Sequence, residues 1–322
     1  MTSTAAGPRP SAPTRSWLPV AAVAVTLLLW ASAFVAIRHL RGDFSAGPLS
    51  LGRLLVGALC LGAFALRRGV PRPTGAQWVR LLSIGVLWYG LYNVALNEGE
   101  TRVDAGTASM LIQSSPVLIA LLAAAFLGER FTVALGVGLA LAFGGVALIG
   151  VATGDGGGGS DVLGVVLCLV SAAAYSVSVV LQKPLSGHLP SVHITWLTCT
   201  IGAVVCLPFL PSLVGQIDDA PASSVLWVVY LGVFPTAIAF TTYAYALGQM
   251  SASSLGVTTY LVPPLTIVLG WAFLGETPPA MAYAGGALAL LGVAVTRRGP
   301  KAAPAAVSSP AASAPSRPPA TP

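Results

Sequence analysis

The residues of this 322-residue chain that could do chemistry sit inside apolar runs. Trp30, Phe34 and Arg38 stand at i, i+4 and i+8, one stripe of a helix, and Tyr175, Val179 and Lys183 repeat that spacing. Gln113-Ser114-Ser115-Pro116 has a counterpart in Thr258-Thr259-Tyr260, followed by Pro263-Pro264. Tyr89 and Asn93 are one turn apart, beside Trp88 and Tyr92, and Tyr243 closes a run begun by Phe240. Aromatic faces stack on organic solutes, and amides and phenols hydrogen-bond them. The set is suited to binding. It has no nucleophile–base pair, no metal-ligand spacing and no Gly-Lys-Ser/Thr ending on its glycine run, so no catalytic residue, metal or cofactor is expected.

Two further groups bear on mechanism. Pro116, Pro263 and Pro264 remove backbone N–H groups and clash with the carbonyls behind them. The freed carbonyls of Ile112 and Thr259, next to Gln113 and Tyr260, would form polar sites and joints. Arg53 falls about five residues into an apolar segment. An ion pair with the acidic stretch 98–104, structural or gating, is the favoured reading over solute binding. Asn93 serves equally as a solute contact or as glue between helices. Arg38 and Lys183 are expected to snorkel at helix ends.

These residues must be positioned by membrane helices. The chain is 55% hydrophobic and 8% charged, against about 25% charged in ordinary soluble domains. Ten apolar segments run over about 17–37, 48–66, 78–97, 105–127, 131–151, 162–182, 192–210, 225–246, 254–274 and 279–296, each near the length of one membrane crossing. The net charge of +6 lacks the aromatic interleaving of a nucleic-acid surface, so no nucleic-acid partner is expected. Cys60, Cys168, Cys199 and Cys206 all lie in apolar runs without Cys-x-x-Cys spacing and read as small buried hydrophobes.

The segments occur as two copies. Shifted by 147, residues 116–147 match 263–294 at 15 of 32 positions without a gap, including Phe-Leu-Gly-Glu at 126–129 and 273–276. Five segments per copy is an odd number, so the second copy enters the membrane inverted. A cytoplasmic N-terminus leaves Arg9, Arg15, Arg67, Arg68, Arg72, Arg80, Arg130, Lys183, Arg297, Arg298, Lys301 and Arg317 inside, which sets both termini in the cytoplasm. The expected organisation is a disordered cytoplasmic N-terminus (1–16), a first five-helix repeat (17–151), an external Gly-rich linker (152–161), a second repeat (162–297) and a disordered cytoplasmic tail (298–322). The fold class is an all-α membrane protein of ten transmembrane helices in two inverted repeats. Glu129 and Glu276, each after Leu-Gly, read as starts of segments 5 and 10. Gly138 and Gly145, with Gly285 and Gly292, give those segments small-residue faces, suited to close packing within the chain or to a homodimer contact.

The tandem Pro…Phe-Leu-Gly-Glu units, Trp30-x-x-x-Phe34, Pro48…Arg53 and the ten-segment hydropathy resemble the drug/metabolite transporter superfamily, in its form with two EamA domains. The resemblance covers residues 17–297. It implies a secondary transporter in the cell membrane exporting an amino acid, a related metabolite or a drug-like compound by alternating access. Segments 1, 3, 4, 6, 8 and 9 would line the route, with 5 and 10 as braces. The substrate-binding candidates are Trp30, Phe34, Tyr89, Asn93, Gln113, Tyr175, Tyr243 and Tyr260. The gating candidates are Arg53, Pro116, Pro263 and Pro264. The alternatives are a membrane receptor or assembly subunit without transport, and an intramembrane lipid-modifying enzyme; the latter needs a buried carboxylate pair or histidine cluster that the sequence lacks.

Overall fold

A computed structural model describes residues 17–40, 42–67, 69, 72–102, 111–153, 162–274 and 280–298. Both tails, most of the glycine linker, Asp104 and Glu276 lie outside the described residues, as do the side chains of Arg38 and Glu100.

Among the described residues every regular element is helical. The elements are α1 (Leu18–Leu40), α2 (Ala46–Arg67), α3 (Gly75–Ile84), α4 (Asn93–Arg102), α5 (Ser115–Leu127), α6 (Val133–Thr153), α7 (Val162–Leu185), α8 (Ser191–Val205), α9 (Leu210–Asp219), α10 (Ala222–Leu231), α11 (Ala239–Gln249), α12 (Ala252–Thr258), α13 (Val262–Leu274) and α14 (Ala280–Arg298). Among the described residues five continuous helical stretches are long and apolar enough to cross a membrane: Leu18–Ile37, Ala46–Arg67, Gly75–Gly99, Val162–Leu185 and Ala222–Gln249. Shorter apolar helices accompany them. Side chains such as Leu59, Phe64, Phe126 and Val133 point outward, as expected of a bundle whose surrounding solvent is lipid.

Several expected segments are interrupted. Residues 85–92 and 232–238 are π-helical, joining α3 to α4 and α10 to α11. The two π turns start 147 residues apart, at the offset of the sequence repeat. Segment 7, expected to run to about 210, ends at Val205. The chain then bends by 53° through the 3₁₀ turn Leu207–Phe209 into α9; Pro208 opens that turn and Pro211 the first turn of α9, positions where a missing N–H costs nothing. Segment 9 is likewise two helices, α12 and α13, parted by the 3₁₀ turn Thr259–Leu261. Pro116, Pro263 and Pro264 therefore lie in the opening turns of α5 and α13. They mark helix restarts where kinks in continuous helices were expected.

The glycine faces expected on segments 5 and 10 meet each other. A Cβ on Gly145 would stand 2.5 Å from the Gly285 carbonyl oxygen, one on Gly138 2.7 Å from that of Gly292, and one on Gly292 2.6 Å from that of Gly138. Contacts 138–292 and 145–285 run in opposite chain directions, so α6 and α14 are antiparallel, with backbones as close as glycine alone permits. These glycine faces pack against each other within one chain.

Candidate functional site

Mid-bundle, a cavity of about 110 Å³ is lined by Trp30, Ala33, Phe34, Ile37, Arg53, Trp88, Tyr92, Asn93, Leu96, Asn97, Ile112, Gln113, Ser115, Tyr175, Phe240, Thr259 and Val262. Both sequence copies contribute. Trp30 sits where it does because α1 is helical without a break, which aligns it with Ala33, Phe34 and Ile37 on one face. Its ring lies 6.4 Å from that of Trp88, 6.4 Å from Tyr175 and 5.6 Å from Phe240, all edge-on. Trp88 and Tyr175 approach to 4.9 Å. This aromatic box joins α1, the first π turn, α7 and α11.

Of the expected solute contacts, Trp30, Phe34, Asn93, Gln113 and Tyr175 reach the cavity wall. Tyr89, Tyr243 and Tyr260 do not. Tyr243 lies behind Trp30, ring centroids 5.1 Å apart, and accepts a 2.9 Å hydrogen bond from the Tyr175 hydroxyl, so it fixes a lining ring. Tyr89 turns to Thr195 and Thr198 of α8. Tyr260 packs among Ala120, Leu139, Ala142, Ala289 and Val293 between the brace helices, and its hydroxyl is buried without a hydrogen-bond partner. Trp88, Tyr92 and Phe240 take the lining positions instead. The cause is the π turn. Its wider winding rotates Trp88 and Tyr92 onto the face that continues through Asn93, Leu96 and Asn97. The polarity of Asn97 was a usable signal, obscured by its place beside the charged stretch 98–104.

The amides hold the frame. Asn93 Nδ2 donates to the carbonyls of Trp88 (3.2 Å) and Tyr89 (2.9 Å), backbone groups loosened by the π turn. Asn97 Nδ2 donates to Ser50 Oγ at 3.0 Å, tying α4 to α2. Gln113 Nε2 reaches the Thr259 carbonyl at 3.5 Å, from one copy to the other. The carbonyl of Ile112, expected to be free, accepts from Ser115 Oγ at 2.7 Å.

Arg53 departs furthest from expectation. It forms no ion pair with the acidic stretch among the described residues, because Glu98 bonds Arg102 one turn on at 3.0 Å. Arg53 Nε donates instead to Thr236 Oγ1 at 3.1 Å, across to the second π turn, and the residue is 6% exposed in the cavity wall. Segment 2 thus joins those expected to line the route.

Away from the cavity lining, Glu129 and Lys183 hold helix ends. Glu129, expected to start segment 5, accepts from the backbone N–H groups of Ala252 (2.7 Å) and Ser253 (3.1 Å) and from the Ser253 hydroxyl, so it caps α12 of the other copy. Lys183, expected to snorkel, donates to the carbonyls of Leu247 and Met250, both at 2.6 Å, and caps the end of α11. The two residues pin both sides of the turn at 250–251.

A helical bundle with apolar flanks and a cavity walled by aromatic and amide side chains fits a multi-pass membrane protein. The chain belongs to the EamA-like transporter family, whose profile matches residues 17–151 and 162–298. It is 38% identical over 277 residues to a protein of Streptantibioticus cattleyicolor named a probable terminal-alkyne amino-acid exporter, covering 86% of this chain and 92% of that one. It is 31% identical over 268 residues to an uncharacterized transporter, YdfC, of Bacillus subtilis, covering 83% and 87%. A solved crystal structure shares the fold with a TM-score of 0.72 and 24% identity, over 88% of this chain and 96% of the other.

Proposed function

We propose that this protein is a secondary transporter that exports small organic metabolites, amino-acid-like in size, by alternating access. The observation that carries this is a cavity walled by both copies of the repeat, with Glu129 of the first copy capping α12 of the second. In this reading the end held by Glu129 and Lys183 is the sealed one. Ten helices in two inverted five-helix repeats account for the antiparallel glycine contact of α6 with α14 and for the paired π turns. With both termini in the cytoplasm, Phe34, Ile37 and Asn97 lie toward the outer face, and the sealed end is cytoplasmic. The conformation is then outward-facing. Rocking of the copies about the cavity would part Glu129 from α12 and open the inner end. The helix restarts at Pro116 and Pro263-Pro264 are the joints. The name carried by the relative from S. cattleyicolor supports amino-acid export.

Counterflow in proteoliposomes tests the reading. Saturable exchange of labelled apolar amino acids, lost when Trp30 is replaced by Ala, is the expected result. Absence of saturable flux across a broad panel of amino acids and organic amines would remove it.

A further inference from the structure

We infer that Arg53 is a carboxylate anchor, and that the solute is a small carboxylic acid with one anionic group and an uncharged apolar body. This rests on the transporter reading only for what happens after binding. The guanidinium is charged at any physiological pH and carries five N–H donors. Nε is used by Thr236 at 3.1 Å, and among the described residues no protein acceptor meets the two terminal nitrogens. Among the described residues no carboxylate lines the cavity. A buried cation without a counter-charge is unfavourable in a folded protein, and a membrane interior makes it more so. The arrangement makes sense when the missing anion arrives with the solute. The Thr236 bond fixes one edge of the guanidinium plane, which leaves its terminal fork for a two-point bond to a carboxylate.

The remaining wall specifies the rest of the molecule. Trp30, Phe34, Trp88, Tyr175 and Phe240 offer apolar faces to an uncharged body. Asn93 has committed its amide N–H₂ to backbone carbonyls, so its oxygen is left to accept from the solute, as an ammonium group would require. Among the described residues Arg53 is the one cation in the lining, which fits a single negative charge and disfavours dianionic phosphates. Cationic drug-like amines are repelled by it. Zwitterionic amino acids with apolar side chains satisfy every group.

The test is binding to purified protein in detergent, read by quenching of tryptophan fluorescence, with L-propargylglycine, L-leucine and L-phenylalanine, each against its carboxamide. The wild-type protein is expected to favour the carboxylate about 10- to 100-fold, the range of a charge-assisted hydrogen-bond pair. Arg53→Gln should remove that preference while leaving carboxamide affinity within about twofold, and Arg53→Lys should restore part of it. Thr236→Val, which frees the guanidinium to turn, should lower the preference while the charge remains. Equal affinity of wild type for carboxylate and carboxamide overturns the inference. So does equal loss of both in Arg53→Gln, or binding of the carboxamides alone. Should Arg53→Gln fail to fold, the wild-type comparison and Arg53→Lys decide. Carboxylate-selective binding without counterflow would remove the transporter reading and leave the anchor standing. Counterflow of amines without carboxylate selectivity would do the reverse.

Discussion

Two contacts in this protein are built on one plan and finished differently. In the first, α2 lies against the second π turn: a Cβ on Gly232 would stand 2.5 Å from Val56 Cβ and 2.9 Å from the Arg53 carbonyl oxygen. In the second, α8 lies against the first π turn: a Cβ on Gly85 would stand 2.5 Å from Ile201 Cγ2 and 3.0 Å from the Thr198 carbonyl oxygen. Arg53 and Val56 correspond to Thr198 and Ile201 at an offset of 145, and Gly85 and Tyr89 to Gly232 and Thr236 at 147. The polar pair across the first contact is Arg53 with Thr236, and across the second Thr198 with Tyr89. One contact puts a charge in the cavity wall; its twin fills the same place with a phenol. Duplication supplied the frame, and divergence of the twin side chains supplied the site.

The largest break in the comparison comes from moving the charge. Thr198 is fully buried and is not part of the lining of that cavity. Thr198→Arg should therefore cost about 3–5 kcal/mol, the penalty of an uncompensated buried charge. The reverse exchange, Arg53→Thr, should leave stability unchanged or raise it while solute binding is lost. Thermal unfolding of the two purified variants against wild type measures both. A stable Thr198→Arg protein would mean that the twin contact has a second opening.

Next in size are the glycines. Gly85→Val and Gly232→Val each drive a side chain into a packed neighbour, and each should cost about 3 kcal/mol or more, since overpacking cannot relax against backbone. Similar drops in unfolding temperature are expected. A mild effect at one position alone would show that the two seams are not equivalent.

How much of this could be read from the sequence follows the same division. The repeat, the helical class, the close packing of α6 with α14 and five lining residues were legible, because they depend on composition, on a fixed offset and on helical spacing. Trp88, Tyr92 and Phe240 were passed over for Tyr89 and Tyr243 because a π turn changes the phase of the face, and no residue type marks it. Glu129 and Lys183 were assigned to their own helix ends. Which helix end a long side chain caps is set by tertiary contact, and here each caps one distant in sequence. Arg53 was paired with the nearest acids along the chain, whereas Glu98 is already held by Arg102.

A smaller effect probes the closure proposed at the Glu129 end. Glu129→Gln keeps the shape of the α12 cap but removes its charge. It should cost about 1–2 kcal/mol in the sealed conformation. In the proposed cycle that cost favours opening of the inner end. A cysteine placed at Ser251 should then react faster with a cytoplasmic-side thiol reagent than in the unmutated background. Unchanged labelling would leave Glu129 as a brace with no part in closure.

The smallest effect concerns Gln113 and Tyr260, twins at an offset of 147. The sequence assigns both to the cavity. Gln113 reaches it, whereas Tyr260 is fully buried against α6 and α14 with an unsatisfied hydroxyl. A buried hydroxyl without a partner lowers stability, so Tyr260→Phe should be neutral or stabilising by up to about 1 kcal/mol, with solute affinity unchanged. Gln113→Met keeps the volume but releases the Thr259 carbonyl, and should weaken solute binding more than it weakens the fold. Unfolding temperature and fluorescence titration of both variants check the pair. If Tyr260→Phe alters affinity as much as Gln113→Met does, the brace helices move during binding and the twins share a role that their positions do not suggest.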